Sequence, residues 1–391
     1  MATTRLKELA VEGKRVLCRV DFNVPMQGGA ITDDTRIRAA LPTLNAILER
    51  GGTPVLMSHL GRPKGQVVDA LRMKPVAERL AERLGRPVEV ASESVGAVAE
   101  AAVEAARKAS GVALLENVRF HAGETKGDDA LAAEFAKLGD CFVNDAFGTS
   151  HRNHASVCGV ANHLPSAAGL LLEKEIYAFE RVLHDPQRPL VAVLGGAKVS
   201  DKLPVVQNLI EKVDAILIGG GMAYTFLVAR GESVGTSLVQ TDQLDQVREN
   251  LALAEKHGCA IELPSDHVVA ESFAEDAEAR TVTEIPDGWM GLDIGPESQA
   301  RYAARVQGAK TVVWNGPMGV FEWQSFRSGT EAVGRAVAAS SGYTVVGGGD
   351  SVAAIGLLGL ENEVSHVSTG GGASLELLEG KTLPGLAALD R

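Results

Sequence analysis

The chain has 391 residues, which is too long for one ordinary hydrophobic core and therefore predicts two domains. Its net charge of −12 argues against non-specific nucleic-acid binding, because such binding requires a positively charged surface. No apolar run approaches the roughly 20 residues of a membrane-spanning helix, and no cationic N-terminus precedes an apolar segment. We therefore expect a cytoplasmic protein with neither nucleic-acid nor membrane partners.

Short apolar runs rich in β-branched residues alternate with amphipathic stretches along the first half of the chain. The runs that we predict to be strands span 16–20, 54–57, 112–115 and 141–143. The stretches with helical periodicity span 73–84, 95–108 and 128–138. Cys18 and Cys141 lie inside two of the apolar runs, and no CxxC pair occurs, so we expect buried free thiols rather than disulfides.

The same alternation resumes in the second half. The predicted strands span 190–194, 215–218, 311–314, 343–346 and 364–367. The predicted helices span 201–213, 241–257, 296–307 and 328–340. Strands without polar alternation, separated by helices, are typical of a parallel sheet covered on both faces. Each half of the chain is therefore predicted to be an α/β domain.

A polar segment with two prolines at 184–189 separates the two halves, and the helical stretch 170–182 precedes it. We place the domain boundary within 170–189 and expect that helix to join the domains. In α/β domains of this kind, ligands bind beyond the carboxyl ends of the strands. The residues at those ends should therefore carry the chemistry.

The two halves end their apolar runs in different residue types. The first half ends them in Arg, His, Asp or Asn, in VLCRVDFNVP (16–25), VLMSHLGRP (55–63), LLENVRF (114–120) and VNDAFGTSHR (143–152). The second half ends them in glycine, in VLGGAK (193–198), LIGGGM (217–222), VVWNGP (312–317), VVGGGDS (345–351) and VSTGGGAS (367–374). Side-chain cations and glycine-presented amides are two ways to hold an anion. The pattern indicates a protein that brings two anionic molecules together.

Glycines between a parallel strand and a helix let backbone amides and the positive end of the helix dipole face a phosphate. Their repetition predicts a nucleotide or polyphosphate site, although any one cluster could merely serve a tight turn. Neither the dinucleotide fingerprint GxGxxG nor the Walker pattern GxxxxGK[ST] occurs, which disfavours a dinucleotide oxidoreductase. A non-catalytic anion-binding protein is the other alternative, and the presence of Lys198 and Asp350 disfavours it.

Three polar residues of the second half carry specific expectations. Asp350 should stand at a helix N-terminus, where it could cap the helix or hold Mg²⁺ on nucleotide phosphates. Lys198 and Lys202 are four residues apart around a predicted helix start, so they could share a face. Two lysines beside the positive end of a helix are unfavourable for stability, which favours an anion between them.

The first half supplies the cations. They lie in or beside loops at predicted strand ends, and they are Arg36, His59, Arg62, Arg119, His151, Arg152 and His154. Any one alone could be a solvated surface charge, but together they would attract a small, multiply charged anion. Asp21 and Asn23 follow the first strand and could bind a hydroxyl group, or they could form a turn before Pro25.

Motifs for an activated nucleophile are missing from the sequence. It contains neither a GxSxG elbow nor HExxH, and no evident Cys–His nucleophile pair. Phosphoryl transfer to a carboxylate is a reaction that needs no such group, because the acceptor is already ionised at neutral pH. Catalysis would then depend on positioning and on neutralising charge at the transferring group.

Ten segments together resemble one family. They are VDFNVP (20–25), SHLGRP (58–63), LLENVRF (114–120), NDAFGTSHR (144–152), GGAKVSDK (195–202), GGGMAYTF (219–226), GLDIGPES (291–298), WNGPMGVFE (314–322), GGGDS (347–351) and STGGGASLELLEGKTLPG (368–385). In order and spacing they are similar to the phosphoglycerate kinases, from about residue 5 to residue 388. The resemblance implies reversible, direct in-line phosphoryl transfer from 1,3-bisphosphoglycerate to ADP, giving 3-phosphoglycerate and Mg-ATP in glycolysis.

The resemblance also implies an architecture. It is a monomer of two Rossmann-like domains, each a parallel sheet flanked by helices, with an inter-domain hinge that closes during the reaction. The triose substrate would bind the N-terminal domain (1–170), and an inter-domain helix and hinge would follow (171–188). Nucleotide would bind the C-terminal domain (189–370), and the last segment (371–391) would return to the N-terminal domain.

Individual site residues follow from the same motifs. Asp21 and Asn23 would hold the glycerate hydroxyl, and Arg36 would face the carboxylate and the transferring group. The 3-phosphate would be held by His59, Arg62, Arg119 and Arg152. The nucleotide would be bound by Lys198, Lys202, Gly219, Gly220, Gly291, Asn315, Glu322, Gly348, Gly349, Asp350 and Ser351, with Asp350 also the Mg²⁺ ligand. The residues implied in catalysis itself are Arg36, Lys198, Gly348 and Gly371.

Three positions depart from the family pattern. Ser351 stands where the family usually has Thr, but the hydroxyl is retained. Asn153 occupies a position that is usually small. Pro204 lies early in the helix that follows Lys202. Because proline is tolerated only in the first turn of a helix, the sequence does not fix the residue at which that helix begins.

Overall fold

The computed structural model describes residues 3–390, which form two compact units. One unit comprises the described residues up to Ile176 together with those from Thr382 onward. The other unit is Tyr177–Lys381. The functional limits assigned to the four segments above remain predictions.

The first unit is built on a parallel sheet. Its strands are β1 (Arg15–Arg19), β2 (Met26–Gln27), β3 (Ala30–Ile31), β4 (Thr53–Met57), β5 (Val88–Val90), β6 (Val112–Leu114), β7 (Cys141–Asn144) and β8 (Ser166–Ala168). Six of them form one sheet in the order β5-β6-β4-β1-β7-β8, whereas β2 and β3 pair as a small hairpin. In the central strands β1 and β4, every residue after the first is buried, because helices cover both faces.

Five helices start in this part of the chain. They are α1 (Thr35–Glu49), α2 (Lys74–Leu84), α3 (Gly96–Lys108), α4 (Asp129–Ala136) and α5 (Leu170–Leu183). The sequence pattern missed α1, whose interior contains Pro42 and therefore reads as a break. Its buried face, which includes Ile37, Leu44 and Ile47, belongs to the main core of the unit. The helix α5 runs across the boundary between the two units.

The second unit contains two sheets. Its strands are β9 (Leu190–Leu194), β10 (Ala215–Ile218), β11 (Ala260–Glu262), β12 (His267–Ala270), β13 (Arg280–Val282), β14 (Met290–Ile294), β15 (Thr311–Asn315), β16 (Tyr343–Val346) and β17 (His366–Val367). Six of them form a parallel sheet in the order β11-β10-β9-β15-β16-β17. The other three form an antiparallel sheet in the order β13-β12-β14. The sequence analysis did not anticipate this second sheet.

The helices of the second unit lie between its strands. They are α6 (Leu203–Ile210), α7 (Met222–Ala229), α8 (Leu244–His257), α9 (Pro296–Gln307), α10 (Ser328–Ala338), α11 (Gly349–Leu357) and α12 (Gly372–Leu378). A last short helix, α13 (Pro384–Ala387), belongs to the first unit. Trp314 is fully buried within the main core of the second unit, where side chains of β15, α9 and α10 meet.

The predicted class, α/β with parallel sheets flanked by helices, is confirmed. All four cysteines are buried and free, as expected. The predicted helix 201–213 is shorter than expected, because a 3₁₀ turn (Val199–Asp201) precedes α6 and Pro204 occupies its first turn. Among residues 3–390, no helix combines the length and apolar character needed to span a bilayer.

Candidate functional site

Basic side chains converge at the carboxyl edge of the first sheet. Arg19, His59, Arg119, Arg152 and His154 form a set that we call the basic cluster. Arg19, the last residue of β1, is completely buried. Burial lowers its pKa, as does the charge of Arg152, whereas Glu124 and Asp21 act in the opposite direction. The other members of the cluster follow β4, β6 and β7, whose carboxyl ends meet at the same edge of the parallel sheet.

The histidines of the basic cluster are not cations, which corrects the sequence analysis. Burial, followed by the charge of Arg19, holds the pKa of His59 well below its ordinary value. The same causes lower the pKa of His154 to about 3. Both rings are therefore neutral near pH 7, and the positive charge of the cluster resides on its arginines.

Hydrogen bonding fixes the proton on His59. The Arg19 Nη2 group lies 3.1 Å from His59 Nδ1 and can only donate, so Nδ1 is the acceptor. The ring proton therefore lies on Nε2. His59 is 4% exposed, and its Nδ1 is 3.9 Å from an Asp21 oxygen. The ring is held as a neutral donor with a single defined tautomer.

Among the described residues of the cluster, Arg119 has the largest number of buried side-chain nitrogens without a hydrogen-bond partner. Its Nη1 donates to the Gly61 carbonyl at 2.8 Å, and its own amide donates to Asn117 Oδ1 at 3.1 Å. Within the described part of the chain, its Nε and Nη2 atoms are buried with no hydrogen-bond partner. Burial, with the charges of Arg19 and Arg152, lowers the pKa of Arg119 to about 10, so it stays protonated. Unpaired buried donors of this kind are costly unless a ligand accepts from them.

Asp21 and Asn23 connect the loop after β1 to its neighbours. Asp21 Oδ2 accepts from Arg36 Nη1 at 2.8 Å, so Arg36, in the first turn of α1, reaches the same edge. Asn23 Oδ1 accepts from the Gly61 amide at 2.8 Å. Asp21 and Asn23 also form a local turn, as the sequence analysis allowed, since the Asn23 amide donates to Asp21 Oδ1 at 3.3 Å.

Arg62 and Arg152 differ in how far they are exposed to solvent. Arg62 is exposed in the loop after β4. Arg152 is half-buried and donates from Nε to His151 Nε2 at 3.1 Å. Asn153 is exposed beside it. Arg62 is therefore solvent-exposed, whereas Arg152 is partly covered by its neighbours.

Three residues of this edge escaped the sequence analysis. Arg19 Nε donates to Ser156 Oγ at 2.9 Å, and Ser156 Oγ donates to Glu124 Oε1 at 2.6 Å. Glu124 is fully buried and also accepts from the Ser156 amide at 3.0 Å. This chain of hydrogen bonds anchors Arg19 with a buried countercharge. Ser156 lies in a π-helical turn, Ala155–Gly159, of a type that is frequent near functional sites.

In the second unit, glycines allow backbone segments to touch. A Cβ atom on Gly195 would lie 1.9 Å from the Pro317 carbonyl oxygen. Gly220 has φ +68, and a Cβ there would lie 2.7 Å from the backbone of Gly196. A Cβ on Gly219 would lie 2.5 Å from Met318 Sδ. The loops after β9, β10 and β15 are thus packed closely, which leaves their amides near one surface.

A cavity of about 670 Å³ opens beside these loops. Of the predicted nucleotide residues, Gly220, Gly291, Glu322 and Asp350 line it. The lining also includes apolar side chains that sequence reasoning missed: Leu238, Phe273, Leu292, Val320 and Trp323. The Phe273 and Trp323 rings lie 4.6 Å apart between centroids, at the cavity wall. An apolar slot with glycines on one side and carboxylates at its rim suits a planar ring joined to a polar group.

Gly291 shows how closely the cavity wall is packed. A Cβ at this position would lie 1.9 Å from the Tyr224 hydroxyl, and its amide donates to Ser237 Oγ at 2.9 Å. Burial raises the pKa of Tyr224, so the hydroxyl stays protonated. Only glycine fits at this point of the wall.

Asn315, at the end of β15, lies beside the starts of both α6 and α11. Its Oδ1 accepts from Lys202 Nζ. A Cβ on Gly348, which has φ +90, would lie 3.1 Å from Asn315 Nδ2. Among residues 3–390 that Nδ2 atom is buried with no hydrogen-bond partner. Burial lowers the pKa of Lys202, and the charge of Asp350 opposes this effect.

Four further predicted residues stand at helix starts or in the loops before them. Lys198 is exposed and precedes the 3₁₀ turn, whereas Lys202 caps α6, so the two do not share one helical face. Gly349 is the first residue of α11, and Gly371 (φ +45) caps α12. Ser351 is buried, and its Oγ accepts from the Gly316 amide at 2.5 Å. Its hydroxyl therefore holds the loop after β15.

Asp350 is the second residue of α11 and is exposed. The N-cap of that helix is Gly348, so Asp350 does not occupy the cap position. Within residues 3–390, no group of three His, Cys, Asp or Glu side chains could hold a metal ion by itself. A single carboxylate fits a Mg²⁺ ion that takes its other ligands from phosphate oxygens and water.

Comparison with known proteins gives one consistent result. The family model described as "Phosphoglycerate kinase" matches residues 6–381. The phosphoglycerate kinase of Moorella thermoacetica is 56% identical over 391 residues, covering 100% of this chain and 99% of that protein. That of Herpetosiphon aurantiacus is 54% identical over 388 residues, covering 98% of each chain.

Solved structures give the same relationship. The structure of phosphoglycerate kinase from Coxiella burnetii has a TM-score of 0.91 and 42% identity, covering 99% of this chain and 98% of that one. The phosphoglycerate kinase from Pyrococcus horikoshii has a TM-score of 0.84 and 34% identity, again covering 99% and 98%.

Proposed function

Because the chain belongs to the phosphoglycerate kinase family, we propose that it moves a phosphoryl group from 1,3-bisphosphoglycerate to ADP, reversibly, giving 3-phosphoglycerate and ATP. Membership makes the chain a phosphotransferase, and the reaction of the family is a step of glycolysis. The assignment of each ligand to a unit and of each role to a residue is part of the proposal.

The observation that carries the proposal is the pair of unpaired donors on Arg119. Two buried guanidinium nitrogens that no described residue accepts from are suited to the oxygens of a phosphate group. His59 supplies a neutral Nε2–H donor beside them, and Arg62 and Arg152 add charge. We assign the 3-phosphate of the triose to these four residues, and its hydroxyl to Asp21 and Asn23.

The cavity of the second unit is assigned to the nucleotide. The glycines 219, 220 and 291 and the apolar wall would face adenine, and Glu322 would accept from the ribose hydroxyls. Lys202, Asn315 and Ser351 lie at the phosphate side with the α11 start at Gly348 and Gly349. The unpaired Asn315 Nδ2 donor supports this orientation, because a phosphate oxygen would satisfy it.

Asp350 would hold Mg²⁺, which neutralises phosphate charge when it is bound with the nucleotide. The exposed position of the Asp350 carboxylate on the cavity wall supports this assignment. That the chain is a monomer, and that it is cytoplasmic, remain predictions from the sequence.

The chemistry requires little from the protein beyond positioning and charge. A carboxylate acceptor is ionised at neutral pH, so no general base is needed. Arg36 and Lys198 would balance the charge of the transferring group, and the amides near Gly348 and Gly371 would donate to its oxygens. Since the two ligands are assigned to different units, in-line transfer requires hinge closure to bring them together and to exclude water.

A coupled assay for ATP formation from ADP and 1,3-bisphosphoglycerate tests the proposal. We expect turnover that needs both substrates and Mg²⁺. Replacing Arg119 by Met should raise the KM for 3-phosphoglycerate in the reverse direction while the ADP affinity stays unchanged. Absence of turnover by the wild-type chain would overturn the proposal, and an unchanged triose KM in the variant would overturn the assignment of the phosphate site.

A further inference from the structure

Two helices of the second unit begin at residues assigned to the transfer site. Lys202 caps α6, and Gly371 caps α12. Among residues 3–390, neither cap side chain accepts a hydrogen bond from its own helix, and the Lys202 side chain instead donates to Asn315 Oδ1. The caps do not join the two helices to each other, so the position of α12 relative to α6 depends on contacts elsewhere along them.

Asn208 provides such a contact at the opposite end of both helices. It lies in the last turn of α6, and its Nδ2 donates to the Leu378 carbonyl, at the end of α12, across 2.7 Å. The last carbonyls of a helix lack intrahelical partners, so this bond satisfies a group that would otherwise be orphaned. Residues near the C-terminal ends of α6 and α12 are thus joined.

Two neighbours hold the Asn208 side chain in this orientation. Lys212 Nζ donates to Asn208 Oδ1 at 2.8 Å, which leaves Nδ2 directed at α12. Gly380 has φ +80, and a Cβ there would lie 2.7 Å from Asn208 Oδ1. The chain after α12 can pass this side chain only because residue 380 is glycine.

The start of α12 is also close to the phosphate side. Ser374, in its first turn, donates to the Gly371 carbonyl at 2.7 Å. A Cβ on Gly347, just before the start of α11, would lie 3.3 Å from Ser374 Oγ. A rotation of α12 about its far end would therefore move Gly371 relative to α11 and to Lys202.

We propose that Asn208 is a positioning residue, which clamps α12 to α6 and thereby sets where Gly371 stands relative to Lys202 and the α11 start. This inference rests on the proposed function, because it concerns the phosphoryl-transfer geometry. Asn208 acts through the helices and contacts no substrate itself. Displacements of ~1 Å in such a site can cost about 10²-fold in rate.

The test compares Asn208→Ala with Gln207→Ala, a neighbouring exposed position on α6. For Asn208→Ala we expect kcat per nucleotide-binding site to fall about tenfold, with KM and Kd for ADP changed less than about twofold. Among the described residues that line the nucleotide cavity, none lies on α12, so ADP affinity should not depend on α12. Gln207→Ala should match the wild type.

Two more variants separate positioning from stability. Asn208→Asp retains the shape and the Lys212 partner but removes the donor to Leu378, and we expect it to lose kcat as Asn208→Ala does. Gly380→Ala should displace Asn208 and lower kcat, whereas Gly359→Ala should not, because its φ is +67 with open space around it. If Asn208→Ala does not fold, the comparison of Gly380→Ala with Gly359→Ala still tests the inference.

The outcomes are distinct from a failure of the proposed function. If the wild-type chain turns over and Asn208→Ala and Asn208→Asp keep its kcat per nucleotide-binding site, Asn208 is only a stabilising contact and the inference is wrong. A loss that appears solely as a lower melting temperature or as weaker ADP binding would also overturn it.

Discussion

The Arg19 guanidinium and the His59 ring lie 3.1 Å apart, with Nη2 donating to Nδ1. Burial, followed by the permanent charge that this contact places against the ring, lowers the pKa of His59, and the contact leaves the ring proton on Nε2 as a donor. A neutral donor next to several arginines adds geometry without adding repulsion. The proposed phosphate site can therefore be tested by measuring how the KM for 3-phosphoglycerate depends on pH.

Changing His59 to Gln should preserve most of the affinity for 3-phosphoglycerate, because Gln retains a neutral N–H donor. Changing it to Ala should raise the KM about tenfold, the order expected for a hydrogen bond to a charged group. The phosphate itself titrates near pH 6. For this reason the quantity to compare is the ratio of the KM values of His59→Gln and wild type between pH 5.5 and 8.

We expect that ratio to stay constant, since neither side chain changes its charge in this range. If the wild-type KM decreases relative to that of the Gln variant when the pH is lowered beneath 6.5, His59 becomes a cation in that range. Such a result would contradict the assignment.

Arg36→Ala should lower kcat by about 10²-fold or more, because a charge at the transferring group is most valuable in the transition state. The ADP affinity should be unchanged, since Arg36 lies in the first unit and bonds Asp21. Arg38→Ala is the matched control: Arg38 lies on the same helix but bonds Asp34 at 3.0 Å. Single-turnover kinetics would measure the effect, and an Arg36→Ala rate equal to that of Arg38→Ala would rule the role out.

Local sequence patterns were sufficient for the inner strands of the parallel sheets, because buried strands read as apolar runs and their ends carry the site residues. The patterns missed the edge strands β5, β8 and β11. They were insufficient for β12, β13 and β14, where β13 is largely exposed and gives no apolar run. Helix α1 was hidden by Pro42, which the helix accommodates in its interior.

The site was predicted to the extent that its residues stand in continuous motifs. Arg19 was overlooked because it lies at the end of a strand and looks like part of the apolar run. Its hydrogen-bond partner Ser156 is 137 residues away in the chain, so no local pattern indicates the pairing. The charge state of His59 and His154 depends on burial by distant segments, so the sequence suggested cations where the structure has neutral rings. The bond from Lys202 to Asn315 spans 113 positions and is equally invisible to local reading.

Gly220→Ala should abolish nucleotide binding, whereas Gly231→Ala should be tolerated. Both glycines have positive φ, +68 and +90, so both substitutions impose backbone strain of about 1 kcal/mol. Only Gly220 adds a clash, at 2.7 Å from the backbone of Gly196, whereas no atom of residues 3–390 lies within 4 Å of a Cβ at Gly231. Calorimetric titration with ADP would compare the two, and equal affinities would show that the close packing of these loops does not shape the nucleotide cavity.

The buried His154 should make the first unit sensitive to acid. Its pKa is about 3 in the folded chain, against an ordinary value of 6.5. Between these pH values the unfolded chain binds more protons at this position than the folded chain does. The contribution of His154 to the free energy of unfolding is therefore fully present above about pH 6.5 and is lost as the pH falls. One group of this kind contributes at most about 1.4 kcal/mol per pH unit. His59 acts in the same direction, whereas Asp145, whose pKa burial raises to about 6, acts in the opposite one.

We therefore expect His154→Phe to reduce, but not abolish, the loss of stability of the first unit between pH 7 and pH 5. Tryptophan fluorescence would not follow this change, because Trp289, Trp314 and Trp323 all lie in the second unit. Hydrogen exchange of the β7 amides reports the opening of the first unit directly. His163→Gln, a change at a surface residue paired with Asp129 at 2.8 Å, is the control and should keep the wild-type slope. If His154→Phe also keeps that slope, the ring is not held neutral, and the charge of the basic cluster would have to include it.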